Sequence, residues 1–241
     1  MSWLGDSMRF DKAMGVIAGV TWLLSAATPT HAEEFDVTIR GSDAIFLAGR
    51  TDLVIPPASK PWPDGMIRHA YPTPEEILET RPLTIPVSAG QVVRVISPAV
   101  GWIHFFNTGS GLPSYGPEGD GTADSSRLRS FGGISGYIGR RGALVGVFLG
   151  PSIPNSGPPD PIDFGASTGP GTNFTTLSPR LHQVFFIGNG KTRQGVLQEF
   201  KVPPGATRLA LGIPDGYDFV GAPGFYDDND GHYRVRIGVF P

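Results

Sequence analysis

Oxygen-bearing side chains are concentrated directly before the last apolar segment of the chain. Residues 227–230 read Asp-Asp-Asn-Asp, Gly231 follows them, and Asp215 and Asp218 lie a short distance upstream. Three negative charges in one turn repel one another, and a divalent cation shared among them removes that repulsion. Ca²⁺ binds six to eight oxygens from carboxylates, amides and backbone carbonyls. The pattern therefore predicts a calcium site in the segment 227–230, with Asp215 and Asp218 as further oxygen donors.

A plain hairpin turn is the main alternative to a calcium site in this acidic segment. Asp230-Gly231 by itself is typical of a two-residue hairpin turn. An EF-hand is excluded, because Gly231 at loop position six would place Tyr226 and Ile237 where carboxylates are required. Zinc is disfavoured, since the chain has no cysteine and His232 is isolated.

The sequence contains only weak matches to known catalytic motifs. Residues 165–169 fit the G-x-S-x-G pattern of serine hydrolases, but that motif requires a strand-to-helix turn and here lies in a Pro/Gly-rich segment. The carboxylates of Glu75, Glu76 and Glu79 have no evident partner acid. We therefore predict a binding protein and no enzyme. A hydrolase whose acids come from distant loops stays an open alternative.

The composition indicates a loop-rich all-β protein. Of 241 residues, 34 are glycine and 24 are proline, and apolar residues alternate between the Gly/Pro clusters. The formal net charge is −3 with scattered basic residues, which argues against nucleic-acid binding.

The first 32 residues have the pattern of a secretory signal peptide. Arg9 and Lys12 precede a short apolar run at 13–27, and Ala32 is a small residue suited to cleavage. No later segment is apolar enough to cross a membrane. We expect a secreted or periplasmic protein without a membrane anchor after cleavage, with residues 33–241 forming a single domain.

Period-two alternation predicts about ten strands. They fall at 35–40, 44–48, 83–86, 91–97, 101–106, 143–149, 184–187, 195–202, 207–213 and 232–239. This number favours a two-sheet β-sandwich with jelly-roll-like topology. One helix is predicted at 74–80, within a proline-rich loop insertion at 51–82. A second long loop spans 151–180, and such loops are usually functional or disordered.

Several segments resemble, in the same order, the bacterial PA-I galactophilic lectin-like domain, a calcium-dependent galactose-binding β-sandwich. The resemblance is carried by Gly101-Trp102, Tyr115-Gly-Pro-Glu-Gly-Asp120, Gly142-Ala-Leu-Val, Phe186-Ile-Gly-Asn-Gly190, 202–211 and Asp228-Asn-Asp-Gly231. It covers the chain from about residue 35 onwards.

The resemblance implies a ligand set for the ion and a role for it. The implied calcium ligands are the side chains of Asp215, Asp228 and Asn229 and the main-chain carbonyls near Phe105 and Phe225. The loop after Asp215 is longer than in the family, so Asp218 is an alternative to Asp215. In the family, the sugar binds the ion through two hydroxyls. The residues expected to contact the sugar are Asp120, Tyr115, Tyr226 and Asp230.

Two functional hypotheses follow. The first is an exported calcium-dependent lectin with a galactose-like sugar as partner, in which Tyr226 contacts the sugar and Trp102 lies in the core. The second is a structural or self-assembling matrix protein on the same sandwich, in which calcium only staples a loop. The sequence leaves homo-oligomers open under both hypotheses.

Overall fold

The computed structural model describes an all-β sandwich. It covers residues 32–53, 55, 81–106 and 111–241, without the side chain of Asp227. The predicted signal segment, most of the insertion at 51–82 and the predicted helix at 74–80 lie outside these residues. The all-β sandwich is therefore confirmed, and its jelly-roll topology stays a prediction.

Thirteen strands and three short 3-10 helices make up the described part of the chain. The strands are β1 (Glu33–Arg40), β2 (Thr84–Pro86), β3 (Val92–His104), β4 (Ser114–Tyr115), β5 (Ser126–Leu128), β6 (Tyr137–Gly139), β7 (Val145–Leu149), β8 (Thr176–Leu177), β9 (Val184–Phe186), β10 (Glu199–Lys201), β11 (Arg208–Gly212), β12 (Val220–Gly221) and β13 (Asp230–Phe240). The 3-10 helices are Ile45–Leu47, Tyr217–Phe219 and Tyr226–Asp228.

The strands form three sheets. The largest has the order β1–β13–β3–β10–β8, and β4 pairs with the end of β3. The second has the order β2–β11–β7–β9, and the third is β12–β5–β6. Only β8–β10 and β5–β12 are parallel among these strand pairs. The start of β13 lies beside the end of β3, which brings the acidic turn next to Phe105.

The core lies between the two larger sheets and follows the predicted alternation. On β13, Tyr233, Val235, Ile237 and Val239 are buried, whereas Arg234 between them is exposed. Each apolar side chain moved from water into the core contributes roughly 1.5–3 kcal/mol. The buried apolar side chains of both sheets belong to one cluster.

Four predicted strands differ from the structure. Within 44–48, Ile45–Leu47 form a 3-10 helix and Ala44 forms an isolated β-bridge with Ile213, and all five residues are buried. A short apolar run that is buried on every side carries no alternation to mark it as strand. The predicted strands 91–97 and 101–106 are one strand, β3, with an irregular register against Arg234–Arg236. Of 195–202, only Glu199–Lys201 is strand.

The second long loop, 151–180, packs against the sheets. The ring of Phe164 is 2% exposed, and its centroid lies 6.1 Å from that of Phe186 and 6.3 Å from that of Tyr137. Further along, β8 pairs with β10 and extends the largest sheet. This loop therefore covers the outer face of β9 as part of the fold.

Candidate metal and ligand site

The acidic residues lie in a loop, residues 213–230, that connects β11 to β13 and is closed at its base. The amide of Gly224 donates a hydrogen bond to the carbonyl of Asp215 at 3.1 Å. Gly216 and Pro223 form an isolated β-bridge within the same loop. Two 3-10 turns, Tyr217–Phe219 and Tyr226–Asp228, fold the remainder. Asp215 and Asp228 consequently lie at the two ends of one compact loop.

The buried side chain of Tyr226 forms hydrogen bonds with the backbone at the start of this loop. Its Oη donates to the carbonyl of Ile213 at 2.9 Å and accepts from the amide of Asp215 at 3.0 Å. Burial, and then the nearby charge of Asp215, raise the pKa of Tyr226 well above its usual range. Because only 5% of Tyr226 is exposed, its ring offers no face to a sugar. This burial disfavours the expected sugar contact at Tyr226, which stays a prediction, and the hydrogen bonds of Tyr226 position Asp215.

Asn229 joins Asp215 to a turn near the chain's start. Its Nδ2 donates to Oδ2 of Asp215 at 2.8 Å and to the carbonyl of Gly41 at 2.9 Å. The other carboxylate oxygen of Asp215 accepts from the amide of Gly216 at 2.7 Å. The Oδ1 atom of Asn229 is buried and accepts no hydrogen bond within the part of the chain that the structure describes. A buried oxygen without a hydrogen-bond donor is stabilised by a positively charged group or ion placed next to it.

Two carboxylates are buried in this one loop. Asp215 is 2% exposed and Asp228, adjacent to Asn229, is 6% exposed. Buried carboxylates are costly unless they are paired, hydrogen-bonded or bound to a metal. Within the described ranges, no three His, Cys, Asp or Glu side chains form a group that could hold a metal ion. The oxygens of Asp215, Asp228 and Asn229 fit the chemistry of a hard cation such as Ca²⁺.

Asp218 and Asp230 differ from this buried set. Both are exposed. Asp218 has a left-handed φ of 47°, and Oδ1 of Asp230 accepts from the amide of the adjacent Gly231 at 2.7 Å. As an alternative ligand to Asp215, Asp218 is disfavoured because it is solvated, whereas Asp215 is buried beside Asn229.

The two predicted carbonyl ligands belong to residues whose rings frame the loop. Phe105 follows the end of β3, and its ring centroid lies 5.4 Å from that of Phe219. Phe225 adopts a left-handed φ of 66°, with its ring 5.3 Å from that of Tyr217. Their carbonyls stay predicted ligands.

Asp120 and Tyr115 lie beside the loop. Oδ1 of Asp120 accepts from Oγ of Ser125 at 2.8 Å, and its Oδ2 lies 3.1 Å from Nε of Arg141. The Arg141 guanidinium in turn lies 5.5 Å from the centre of the Phe219 ring. Burial raises the pKa of Tyr115, whose ring packs on Phe105. Asp120 therefore braces its own turn, and a contact with sugar would be a second role for it.

The loop contains an unusual number of left-handed residues. Asp218, Phe219 and Phe225 all have positive φ without being glycine. Each such residue costs on the order of 1–3 kcal/mol, and such strain is concentrated at functional sites. Among the described residues, three of the four non-glycine positions with positive φ lie in the loop that buries the two carboxylates, and the fourth is His182.

Sequence reasoning missed three features of the site. Gly41 supplies a carbonyl to Asn229, and Phe219 links the Asp120 turn to the acidic loop. Trp102 was expected in the core but is 54% exposed, because its neighbour Ile103 is the buried one of the pair. The alternation of apolar and polar residues on either side of Ile103 could have indicated that Trp102 faces solvent. No sequence signal connected Gly41 with Asn229.

No family model, no curated protein and no solved structure matches the chain. Over the residues that the structure describes, no helix has the length and apolar character needed to span a membrane.

Proposed function

We propose that this protein binds Ca²⁺ at Asp215, Asp228 and Asn229 and uses the bound ion to hold a carbohydrate. The observation that carries the proposal is the burial of two carboxylates in one loop, with a buried amide oxygen of Asn229 that accepts no hydrogen bond in the described residues. A divalent cation would neutralise the carboxylates and supply the electropositive neighbour that the amide oxygen lacks.

The chain positions these oxygens before any ion arrives. Tyr226 fixes the backbone at Asp215, and Asn229 Nδ2 holds the Asp215 carboxylate while tying it to Gly41. A ligand set held in this way loses less conformational freedom on binding. The ion would complete its shell with backbone carbonyls, for which Phe105 and Phe225 are the proposed sources, and with water.

Carbohydrate enters the proposal through the ion. Two adjacent hydroxyls of a pyranose can replace two waters on an oxygen-binding cation, which requires ligand positions open to solvent. The resemblance to the PA-I lectin-like domain supports a galactose-like sugar. Secretion or export to the periplasm remains part of the proposal, since the first 32 residues have the pattern of a secretory signal peptide.

Calorimetric titration tests the metal step. Protein dialysed against EDTA and then freed of chelator should take up about one Ca²⁺ per chain, and heat of binding should be absent for Asn229→Ala. Asp218→Ala is the matched control, because it removes an exposed carboxylate from the same loop. Absence of binding heat in the parent protein at millimolar Ca²⁺ would refute the metal site.

Thermal unfolding separates loss of ligand from loss of fold. Asn229→Ala also removes hydrogen bonds to Asp215 and Gly41, so each variant is compared with itself in EDTA. Ca²⁺ at 100 times its Kd should stabilise the parent by about 2.7 kcal/mol and Asn229→Ala hardly at all. If Asn229→Ala does not fold, Asp228→Asn keeps the shape of the side chain and removes one charge.

A glycan array read with and without Ca²⁺ tests the sugar step. We expect binding of terminal galactose-like sugars that EDTA abolishes. An array that is empty under both conditions, with Ca²⁺ binding intact, would reduce the ion to a loop staple and favour the matrix-protein alternative.

A further inference from the structure

The outer face of the largest sheet presents an exposed aromatic ring beside an exposed cation. We use the term platform for the side chains of Val100, Trp102, His232 and Arg234. Trp102 is 54% exposed and Val100 is 57% exposed, although both lie in the middle of a paired strand. Exposed large apolar side chains in this position are unusual, and a group of them marks an interaction site.

Strand pairing fixes how the platform is arranged. Trp102 lies opposite His232, and Val100 lies opposite Arg234, on neighbouring strands β3 and β13. Residues directly opposite have Cβ atoms about 4.5–5.5 Å apart, and diagonal neighbours are about 7–8 Å apart. Trp102 and Arg234 are diagonal neighbours, so the long arginine side chain can reach a group at the edge of a ring stacked on the indole.

Glycine at position 231 makes room for the indole. A Cβ at Gly231 would lie 3.0 Å from Cε3 of Trp102 and 2.4 Å from its carbonyl oxygen. Gly231 also has a φ of 94°, which side chains rarely tolerate. The ring therefore lies against the backbone of β13 on one side and is open to solvent on the other. Such a supported ring is a stacking surface that needs no rearrangement.

Arg234 is an exposed cation that forms no ion pair with the residues that the structure describes. It makes no ion pair or side-chain hydrogen bond with the described residues, whereas Arg40 pairs with Asp43 at 2.9 Å and Arg236 pairs with Glu34 at 2.7 Å. On its own strand the nearest acid of that face is Asp230, about 13 Å away. On β1, Asp36 is a diagonal neighbour of Arg234, but it lies opposite Arg236 and 3.7 Å from the Nε atom of that residue. The guanidinium fork is thus free to bind a carboxylate with two parallel hydrogen bonds.

We propose that the platform binds an acidic polysaccharide. One pyranose ring stacks on Trp102, and the carboxylate of a uronic acid, in that ring or the next, receives the guanidinium of Arg234. The inference rests on the proposed carbohydrate binding and names its substrate class, but it uses no metal. The platform begins where the acidic loop ends, since Asn229 immediately precedes β13, so one chain of sugars can reach both.

The size of the platform favours a sugar over a protein partner. Specific protein interfaces bury about 800 Å² on each partner. An indole ring with three side chains around it matches the size of one or two sugar rings far better than such an area. The polar neighbours His232 and Arg234 also suit hydroxyl and carboxylate groups, and the charge of Arg234 selects for an anion.

The test compares hyaluronan oligosaccharides with the same oligosaccharides after reduction of their carboxyl groups, titrated in EDTA. The parent protein should bind the acidic form about tenfold more tightly than the reduced form. Trp102→Ala should weaken binding of both forms at least about tenfold. Arg234→Gln should weaken only the acidic form, to the level of the reduced one, and added salt should reproduce that loss.

Matched controls remove equivalent groups elsewhere on the surface. Leu83→Ala deletes a side chain that is 63% exposed, and Arg193→Gln deletes an exposed cation. Neither should change either affinity. Thermal unfolding of all four variants confirms that they fold, and Trp102→Phe, which keeps an aromatic face, should retain most of the binding.

Three results would overturn the platform. They are no binding of the acidic form in EDTA, equal binding of acidic and reduced forms, or concentration-dependent dimers that Trp102→Ala abolishes without any saccharide affinity. Failure of the calcium site leaves the platform unaffected, because the titration is done in EDTA. Conversely, a protein that binds Ca²⁺ and a neutral sugar but fails this titration keeps the proposed function and loses only the acidic substrate.

Discussion

A single hydroxyl group organises the start of the acidic loop. The Oη atom of Tyr226 is placed between the carbonyl of Ile213 and the amide of Asp215, and both groups are buried. Backbone groups that lose a partner inside a protein cost about 1–3 kcal/mol each, more than the bond itself contributes. Tyr226 therefore acts on the site through the backbone that carries Asp215.

Removing that hydroxyl should destabilise the protein measurably. We expect Tyr226→Phe to lower the free energy of unfolding by about 1–3 kcal/mol, because the amide of Asp215 and the carbonyl of Ile213 lose this partner without access to water. Urea unfolding measures the change. Ser167→Ala removes an exposed hydroxyl and should stay within about 0.5 kcal/mol of the parent. Equal stability of Tyr226→Phe and the parent would contradict this role.

At the scale of elements, the long segment 151–180 has a structural role that its composition conceals. Phe164 lies against Tyr137, Phe174 and Phe186, so the segment covers a sheet face that would otherwise be exposed to water. The strand β8 within it pairs in parallel with β10. A Pro/Gly-rich segment can be ordered when a few large side chains anchor it.

Loss of the Phe164 anchor should therefore affect the whole fold. Phe164→Ala should cost about 3–5 kcal/mol of unfolding free energy, the usual range for deleting a buried phenylalanine ring. Ile153→Ala is the control, since Ile153 belongs to the same segment but is 38% exposed. Limited proteolysis should cut Phe164→Ala within 151–180 sooner than the parent. An unchanged stability and cleavage pattern would show that the segment is only loosely attached.

At the scale of the whole molecule, stability depends on pH through a half-buried imidazole. Burial lowers the pKa of His182, which has a φ of 63° and an Nε2 atom that no described group hydrogen-bonds. The unfolded chain protonates this imidazole near pH 6.5, whereas the folded chain keeps it neutral to lower pH. The unfolded state thus binds more protons in that window, and stability falls as pH decreases through it.

Substitution of His182 should flatten this dependence. Asn tolerates the left-handed backbone of this position and carries no proton in the same range, so His182→Asn should lose less unfolding free energy between pH 7 and pH 5 than the parent. Denaturant unfolding at pH 8, 7, 6 and 5 measures it. At pH 8 the imidazole is neutral in both states, and this value is the internal reference. Parallel curves for the two proteins would disprove the contribution of His182.

The sequence by itself determined the all-β class and most strand positions. Alternation along β13 shows directly that Tyr233, Val235, Ile237 and Val239 share one face, because successive side chains of a strand point to opposite sides. It also located the oxygen-bearing residues Asp215, Asp228 and Asn229, which the structure places in one loop. The face on which a strand residue lies follows from the backbone geometry of the strand alone, so no tertiary contact is needed to predict it.

Only the tertiary structure decided which faces are covered and which distant groups meet. Trp102 is exposed although it was expected in the core, because alternation along a strand defines two faces without saying which one another sheet will cover. Asn229 meets the carbonyl of Gly41 across 188 residues of sequence. A contact of that kind depends on how β1 and β13 pair, and strand pairing is a property of the packed molecule rather than of either segment.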